Sequence, residues 1–488
     1  MSLKKFFIQY SHFFARNAIA TLLGLISFPI LTRLLTREEY GIMSLINTTM
    51  FFMASFSKGG LSDGIIRFYK EYSETPDRVT TFSSTVLVRG LVFSILGVLL
   101  YVIVAFFMSK YMINNGAYLL CFLIMSAFLL FRPLNTIVLN ILRATDRTIF
   151  YNIVNLVGKI TAIGGSLFFL LYVIGNFYGY FIGQVVSELL MTIVLFYWFF
   201  KNFNIRISKV SGTLAGKLIK FGIPLLFSEI LYLLLAYADR YMIITYMSEG
   251  DLGLYSVGYN LASYISNMVM FSLSYTVIPL YVSLYQHEGR EKTEAFLEKC
   301  LHYLLIAIIP MFFGYYVIAD DLFIGLASEK YSSAAAFSPI ILLGSFFLGV
   351  NTILNAGLYL QKKSKLILFI MFIAVATNIL LNIVLITNYG IMGAAIATLI
   401  ASMATTALTI LFSNKHITVR IKPLTVVYYT ALSLIMVLSV STFDIKLVWI
   451  DMTAKVLIGA AIIISGTLAK ESELRAKLMS LKIVKRIF

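Results

Sequence analysis

Residues 82–108 read FSSTVLVRGLVFSILGVLLYVIVAFFM, an apolar stretch with Arg89 as its one charged residue. A helix needs about 20 mostly apolar residues to cross the hydrocarbon core of a bilayer, and this stretch is longer than that. The whole chain has the same character, because 60% of its 488 residues are hydrophobic and only 13% are charged. Since a soluble domain carries roughly 25% charged residues, the composition predicts an all-α polytopic membrane protein.

Similar apolar stretches give about fourteen predicted transmembrane spans. The first six lie at residues 11–35, 42–66, 82–108, 117–142, 150–173 and 177–200. The others lie at residues 219–247, 254–284, 301–319, 334–360, 366–386, 390–412, 424–442 and 447–469. With the N-terminus in the cytosol, the outward-facing loops hold few basic residues, namely Arg37, Lys110, Lys330 and Lys446. Because Lys and Arg concentrate in cytosolic loops, this bias supports the span count and predicts that both termini are cytoplasmic.

The two halves of the chain share turn motifs. LTREEYG at 35–41 corresponds to SEGDLG at 248–253, and NFYG at 176–179 corresponds to TNYG at 387–390, at nearly one offset. Chance recurrence of short turns is the alternative. The motifs predict two parallel six-helix lobes with the substrate path between them. The predicted domains are an N-terminal lobe at 1–200, a basic linker at 201–220, a C-terminal lobe at 221–412, two further spans within 413–469 and a basic amphipathic tail at 470–488.

Five basic residues lie inside predicted spans one to five, each roughly 5 to 10 residues from the cytosolic end. They are Arg16, Lys58, Arg89, Arg132 and Lys159. An ionisable residue within a span is costly and by default marks a pathway. Five cations at similar depth therefore predict a water-filled cavity that binds an anion, with Asp63 and Glu188 offsetting part of the charge. Snorkelling of these long side chains to the headgroups is the alternative, and it suits Arg16 best.

The second half of the chain has polar spans in place of cationic ones. Its oxygen-bearing side chains include Asp239 in span seven, Asn378 and Asn382 in span eleven, and Thr398 in span twelve. Carboxylate, amide and hydroxyl oxygens suit a small hard cation, so these four residues form a candidate coupling-ion site for sodium. Ordinary hydrogen bonding between helices is the alternative. Asp239 also stands beside Arg240, with which it can form a local charge pair.

The sequence lacks the motifs of catalysis and of cofactor binding. GTLAGKL at 212–218 has one residue too few between its glycines for a phosphate-binding loop, and Leu follows its Lys where Ser or Thr is needed. No HExxH motif occurs, and the two cysteines, Cys121 and Cys300, define no disulfide framework or metal site. These observations predict a transporter without a cofactor and not an enzyme. The net charge of +16 reflects membrane topology and does not predict nucleic-acid binding.

FPILTRLLTREEYG at 28–41 resembles the opening signature of polysaccharide-repeat-unit flippases of the Wzx type. FGIP at 221–224, ADR at 238–240 and GLYS at 253–256 resemble the second-half signature of the same family. The family is a branch of the multidrug/oligosaccharidyl-lipid/polysaccharide (MOP) exporter superfamily. The resemblance covers nearly the whole chain, and it implies a V-shaped pair of lobes that opens alternately inward and outward.

The resemblance also implies a cargo and a pathway. The cargo would be undecaprenyl-diphosphate-linked oligosaccharide, moved from the inner to the outer leaflet of a bacterial plasma membrane. The pathway would be O-antigen, capsule or exopolysaccharide synthesis, with the polysaccharide polymerase machinery as a partner. A diphosphate is the kind of anion that the predicted cationic cavity would bind. Sodium-coupled relatives carry residue types that Asp239, Asn378 and Thr398 match. Asn382 stands where a second carboxylate is expected, which weakens the sodium hypothesis and leaves proton coupling, or no tight coupling, open.

Two other functions compete with this one. An ion-coupled multidrug antiporter of the same superfamily would usually have twelve spans and an acidic cavity, so the two extra spans and the five cations count against it. A membrane-embedded glycosyltransferase or polysaccharide polymerase would typically need a large external loop or a catalytic carboxylate site. The predicted outer loops are short, which ranks this function last.

Overall fold

The computed structural model describes residues 23–472 apart from 114, 115, 117, 444 and 446, together with residue 475. All regular elements within these residues are helical, which confirms the predicted all-α class. In the first half the helices are α1 Leu23–Leu34, α2 Arg37–Ser57, α3 Leu61–Tyr72, α4 Pro76–Tyr111, α5 Tyr118–Ala144, α6 Thr148–Phe168, α7 Phe177–Asn202 and α8 Gly212–Tyr246. In the second half they are α9 Glu249–Leu322, α10 Ser338–Leu354, α11 Ala356–Leu360, α12 Ser364–Ser413, α13 Pro423–Val440 and α14 Val448–Lys470.

The apolar helices establish a protein that crosses the membrane several times. Within the described residues, 9 helical segments are long and apolar enough to span a bilayer, or 10 if the bent pair Glu329–Ala336 and Ser338–Leu354 is one span. Two long helices, α9 and α12, contain a glycine with non-helical backbone, Gly289 (φ 82°) and Gly390 (φ 57°). Predicted spans eight and nine flank Gly289, and predicted spans eleven and twelve meet at Gly390. The polytopic class is therefore confirmed, and the number fourteen stays a prediction.

Predicted span 42–66 is not one continuous helix. Helix α2 ends at Ser57 and α3 begins at Leu61. Between them Gly59 and Gly60 have positive φ angles of 55° and 73°, a conformation that costs little only for glycine. The apolar pattern runs through this break, so hydropathy alone could not locate it.

The two corresponding acidic turns, LTREEYG and SEGDLG, are helix starts. Thr36 Oγ1 accepts a hydrogen bond from the Glu39 backbone N–H at 3.1 Å, and the Glu39 carboxylate accepts one from the Thr36 N–H at 2.9 Å. Ser248 and Asp251 form the same reciprocal pair at 3.1 and 3.3 Å. Each pair satisfies two backbone donors at the first turn of a helix, which explains why the same residue types recur at α2 and α9.

The described residues form two compact units. The first extends through Ser256 and includes Val375–Ala394, whereas the second contains Val257–Ala374 and the chain from Ala395 onwards. Helix α8 thus belongs to the first unit, although the sequence predicts residues 221–412 to form the second lobe. The two lobes stay a prediction. The first unit has an apolar core to which the six helices α3 to α8 contribute. Its buried members include Leu61, Ile65, Phe82, Ile137, Phe199 and Leu218.

Candidate functional site: paired charges within the membrane-spanning helices

Lys58 lies at the helix break, where it caps the C-terminus of α2. Its ammonium group donates a hydrogen bond to Glu229 Oε1 of α8 at 2.6 Å, and Ser55 Oγ donates to the same oxygen at 2.6 Å. The Lys58 and Glu229 side chains are 21% and 37% exposed. A cation at the C-terminus of a helix is also favoured by the helix dipole. The pair is therefore well formed but open on one side.

Two glycines allow the start of α3, which follows Lys58 closely in the chain, to lie directly against α8. A methyl group added at Gly222 of α8 would overlap the Gly60 carbonyl oxygen, and one added at Gly60 would lie 2.9 Å from the Gly222 carbonyl carbon. Because neither residue has a side chain, the two backbones touch directly. The break between α2 and α3 begins at Lys58 and packs against α8. The same helix, α8, also carries Glu229.

A second ion pair joins α5 and α7. Arg132 Nη1 donates to Glu188 Oε2 at 3.4 Å, and the two side chains are 51% and 7% exposed. Asn135 Nδ2 donates to the other carboxylate oxygen, Glu188 Oε1, at 2.8 Å, and approaches Thr192 Oγ1 at 3.0 Å. The carboxylate is thus buried and held by an amide, while about half of the Arg132 side chain stays exposed.

The other predicted cations differ in their surroundings. Arg89 of α4 is partly buried, and its Nε has no hydrogen-bond partner within the described part of the chain. Lys159 of α6 is exposed. Arg16 lies outside the described residues. Lys58, Arg89, Arg132 and Lys159 thus all belong to the first unit, and their joint role in anion binding stays a prediction.

Asp239 and Arg240 of α8 form the local charge pair that the sequence suggested. Their side chains are each 2% exposed, and Arg240 Nη1 lies 3.4 Å from Asp239 Oδ1. The same oxygen accepts the Arg240 backbone N–H at 2.8 Å, and the Tyr255 hydroxyl donates to Asp239 Oδ2. Arg240 Nε also donates to Ser44 Oγ at 3.1 Å. The carboxylate therefore already has several protein donors.

The other members of the candidate sodium site are also buried. Asn382 Nδ2 donates to Asn378 Oδ1 at 3.0 Å, so the two amides of α12 share a helix face as predicted. Asn382 Oδ1 has no hydrogen-bond partner among the described residues. Thr398 is buried and belongs to the second unit, whereas Asp239 and both asparagines belong to the first. The coupling-ion assignment stays a prediction.

Sequence reasoning missed the partner of Lys58. Glu229 stands 171 positions further along the chain, so no local spacing relates the two. The signal that could have suggested the pair was chemical: a carboxylate within an apolar helix needs a cation or hydrogen-bond donors. Glu188, by contrast, was expected to offset cationic charge, and it does contact Arg132.

Comparisons with known proteins agree with this architecture. The family model described as "Polysaccharide biosynthesis protein" matches residues 12–285, more than half of the chain, and the MatE model matches residues 224–384. The chain is 23% identical over 283 residues to a "probable low-salt glycan biosynthesis flippase" of Haloferax volcanii, and the match covers 58% of each protein, less than two thirds of that relative.

Two solved structures share the fold. One is the lipid II flippase MurJ in an inward-closed conformation, with a TM-score of 0.77, 18% identity and coverage of 96% of this chain and 99% of that one. The other is an inward-facing multidrug resistance MATE family transporter of the MOP superfamily, with a TM-score of 0.63, 16% identity and coverage of 81% and 94%. These likenesses define the class: a multi-pass membrane protein with the MOP-superfamily fold. The chain belongs to the polysaccharide biosynthesis protein family, the flippase branch of that superfamily.

Proposed function

We propose that this protein moves undecaprenyl-diphosphate-linked oligosaccharide repeat units from the inner to the outer leaflet by alternating access. The observation that carries the proposal is the half-exposed side chain of Arg132, whose guanidinium is paired with a buried carboxylate within apolar helices. Arg presents five donors in a planar fork that suits phosphate oxygens. In this proposal Arg16, Lys58, Arg89, Arg132 and Lys159 bind the diphosphate, and the membrane is a bacterial plasma membrane with both protein termini in the cytoplasm.

The remaining parts of the proposal concern energy and partners. Asp239, Asn378, Asn382 and Thr398 are the candidate coupling-ion residues, with sodium as the candidate ion. The protein acts as a transporter and not as an enzyme, and it feeds the polysaccharide polymerase machinery that makes O-antigen, capsule or exopolysaccharide. Membership of a polysaccharide biosynthesis family supports this direction.

The test is mass spectrometry of lipid extracts from a strain that lacks the gene, together with an assay of surface polymer. We expect undecaprenyl-diphosphate oligosaccharide to accumulate and surface polymer to disappear. Complementation with Arg132→Ala or Lys159→Ala should restore transport poorly, because each removes a cation for the diphosphate, while both variants still insert in the membrane. Arg78→Ala is the matched control, since Arg78 is also about half exposed and paired, at 3.0 Å with Glu74, but lies at the start of α4.

A multidrug antiporter is the second candidate, and the MatE match over residues 224–384 favours it. The same strain separates the two functions. If lipid-linked oligosaccharide does not accumulate in that strain and the cells become sensitive to cationic drugs, the result would support the antiporter. Normal surface polymer in both Arg132→Ala and Lys159→Ala would refute the assignment of these two cations.

A further inference from the structure

Lys58 already forms an ion pair with a residue of the protein, Glu229. Glu229 Oε1 lies 2.6 Å from the Lys58 ammonium, slightly closer than the about 2.7–2.9 Å at which a phosphate oxygen would bind. An ammonium group has three N–H donors, and a phosphate that takes the position bonded to Glu229 must displace the carboxylate. The protein thus contains an anion placed where the cargo anion is proposed to bind.

The surroundings of Glu229 hold this carboxylate by few contacts, so that a ligand can displace it. Ser55 Oγ supplies one further hydrogen bond, and the Gly60–Gly222 backbone contact anchors the helix break on α8. The side chain is nevertheless 37% exposed, so a ligand can reach it. A partly exposed ion pair is worth only about 1 kcal/mol. Displacement of Glu229 by a diphosphate is therefore energetically accessible.

The Arg132–Glu188 pair does not have this property. Glu188 is buried and held by Asn135, so it stays beside Arg132. Arg132 can keep that contact and still offer its other donors to a ligand, because a guanidinium has five N–H groups. Of these two pairs, only Lys58–Glu229 has a protein anion that is exposed enough to be displaced when the cargo anion arrives.

We infer that Glu229 is the resident counter-ion of Lys58 and competes with the phosphate groups of the cargo. In the empty protein Glu229 neutralises a cation that would be costly to leave unpaired within the membrane. In the loaded protein Glu229 is displaced, and the loss of its ion pair offsets part of the cargo's binding free energy. The carboxylate thereby limits cargo affinity and favours release. This inference rests on the proposed function, since it requires a diphosphate at Lys58.

The test measures binding of farnesyl diphosphate to the purified full-length protein in detergent by calorimetry. Glu229→Gln removes the competing charge but keeps the size of the side chain, and we expect the Kd to fall about tenfold, or about 1.4 kcal/mol. Ser55→Ala removes one hydrogen bond that holds the carboxylate, and we expect a smaller decrease of about threefold. This second variant keeps the test valid if Glu229→Gln folds poorly.

Glu71→Gln is the matched control. Glu71 forms an ion pair of the same length, 2.6 Å, with Lys217, but both side chains are well exposed at 41% and 44%. The hydrogen bond from Lys217 holds the pKa of Glu71 below its usual value. We expect Glu71→Gln to leave the Kd unchanged. In a Lys58→Ala background, Glu229→Gln should have no further effect if it acts through Lys58.

Each outcome is informative. If the wild type binds farnesyl diphosphate and neither Glu229→Gln nor Ser55→Ala binds it more tightly, the counter-ion inference is wrong while the proposed function stands. A gain that persists in the Lys58→Ala background would also refute the inference. If the wild type does not bind the probe at all, the diphosphate assignment of the proposed function fails, and the inference fails with it.

Discussion

Helix α8 carries two charged sites that differ in almost every respect. Glu229 meets one cation and one hydroxyl and is 37% exposed, whereas Asp239 is 2% exposed and accepts hydrogen bonds from Arg240 and Tyr255. An anion with several buried protein donors does not readily exchange them for a ligand. Loss of its cationic partner leaves a buried charge without compensation. An anion with few, reachable donors can exchange them. The difference separates a structural charge pair from a site suited to ligand exchange.

The largest expected effect would come from breaking the buried pair. Arg240→Leu leaves the Asp239 carboxylate buried beside Tyr255 with its guanidinium partner gone, and we expect the free energy of unfolding to fall by about 3–5 kcal/mol. Thermal unfolding of the purified protein in detergent measures this as a strongly lowered midpoint or as loss of folded protein.

The control for this prediction removes both charges. Asp239→Asn combined with Arg240→Leu should be markedly more stable than Arg240→Leu alone, because no unpaired charge remains. Equal stability of the single and double variants would show that Arg240 contributes packing and not charge compensation.

An intermediate effect on the unfolding midpoint is expected at the buried amides Asn378 and Asn382. They test whether buried polar groups can also bind a ligand. The two amides provide oxygen ligands but no negative charge of their own, so we expect sodium to bind the wild type weakly and to raise its unfolding midpoint only slightly. Asn382→Asp adds a carboxylate that suits a hard cation. Sodium should then raise the midpoint of the variant, because a ligand that binds the folded state stabilises it.

Choline chloride at equal ionic strength is the control for salt. A sodium-specific increase of the same size in the wild type would mean that a carboxylate at position 382 is unnecessary. In that case buried polar groups of the first unit would bind ions. Burial would then not distinguish a structural charge such as Asp239 from a ligand-exchanging one such as Glu229.

The smallest effect is expected at the exposed pair Lys217–Glu71. Exposed ion pairs are screened by solvent and contribute little to stability. Glu71→Gln should therefore leave the unfolding midpoint of the purified protein unchanged, although its ion pair is as short as Lys58–Glu229. A clear decrease would show that distance, and not exposure, decides the strength of these pairs.

The sequence predicted some of these features because they depend on local chemistry. Apolar runs identified the all-α membrane class, and the adjacency of Asp239 and Arg240 predicted their charge pair. The pairing of Lys58 with Glu229 could not be predicted, since it joins residues 171 positions apart through helix packing. The helix break at Gly59 and Gly60 was also missed, because glycine leaves the apolar pattern intact while its backbone turns.

The contact between Gly60 and Gly222 has a mechanical consequence. Where two backbones touch without side chains between them, the next residues along either chain, such as Leu61 and Ile223, are too large to take the same place. Helices α3 and α8 therefore cannot slide past each other here without a clash, so the contact fixes their register. The positions of Lys58 and Glu229 relative to each other thus depend in part on two residues that carry no side chain.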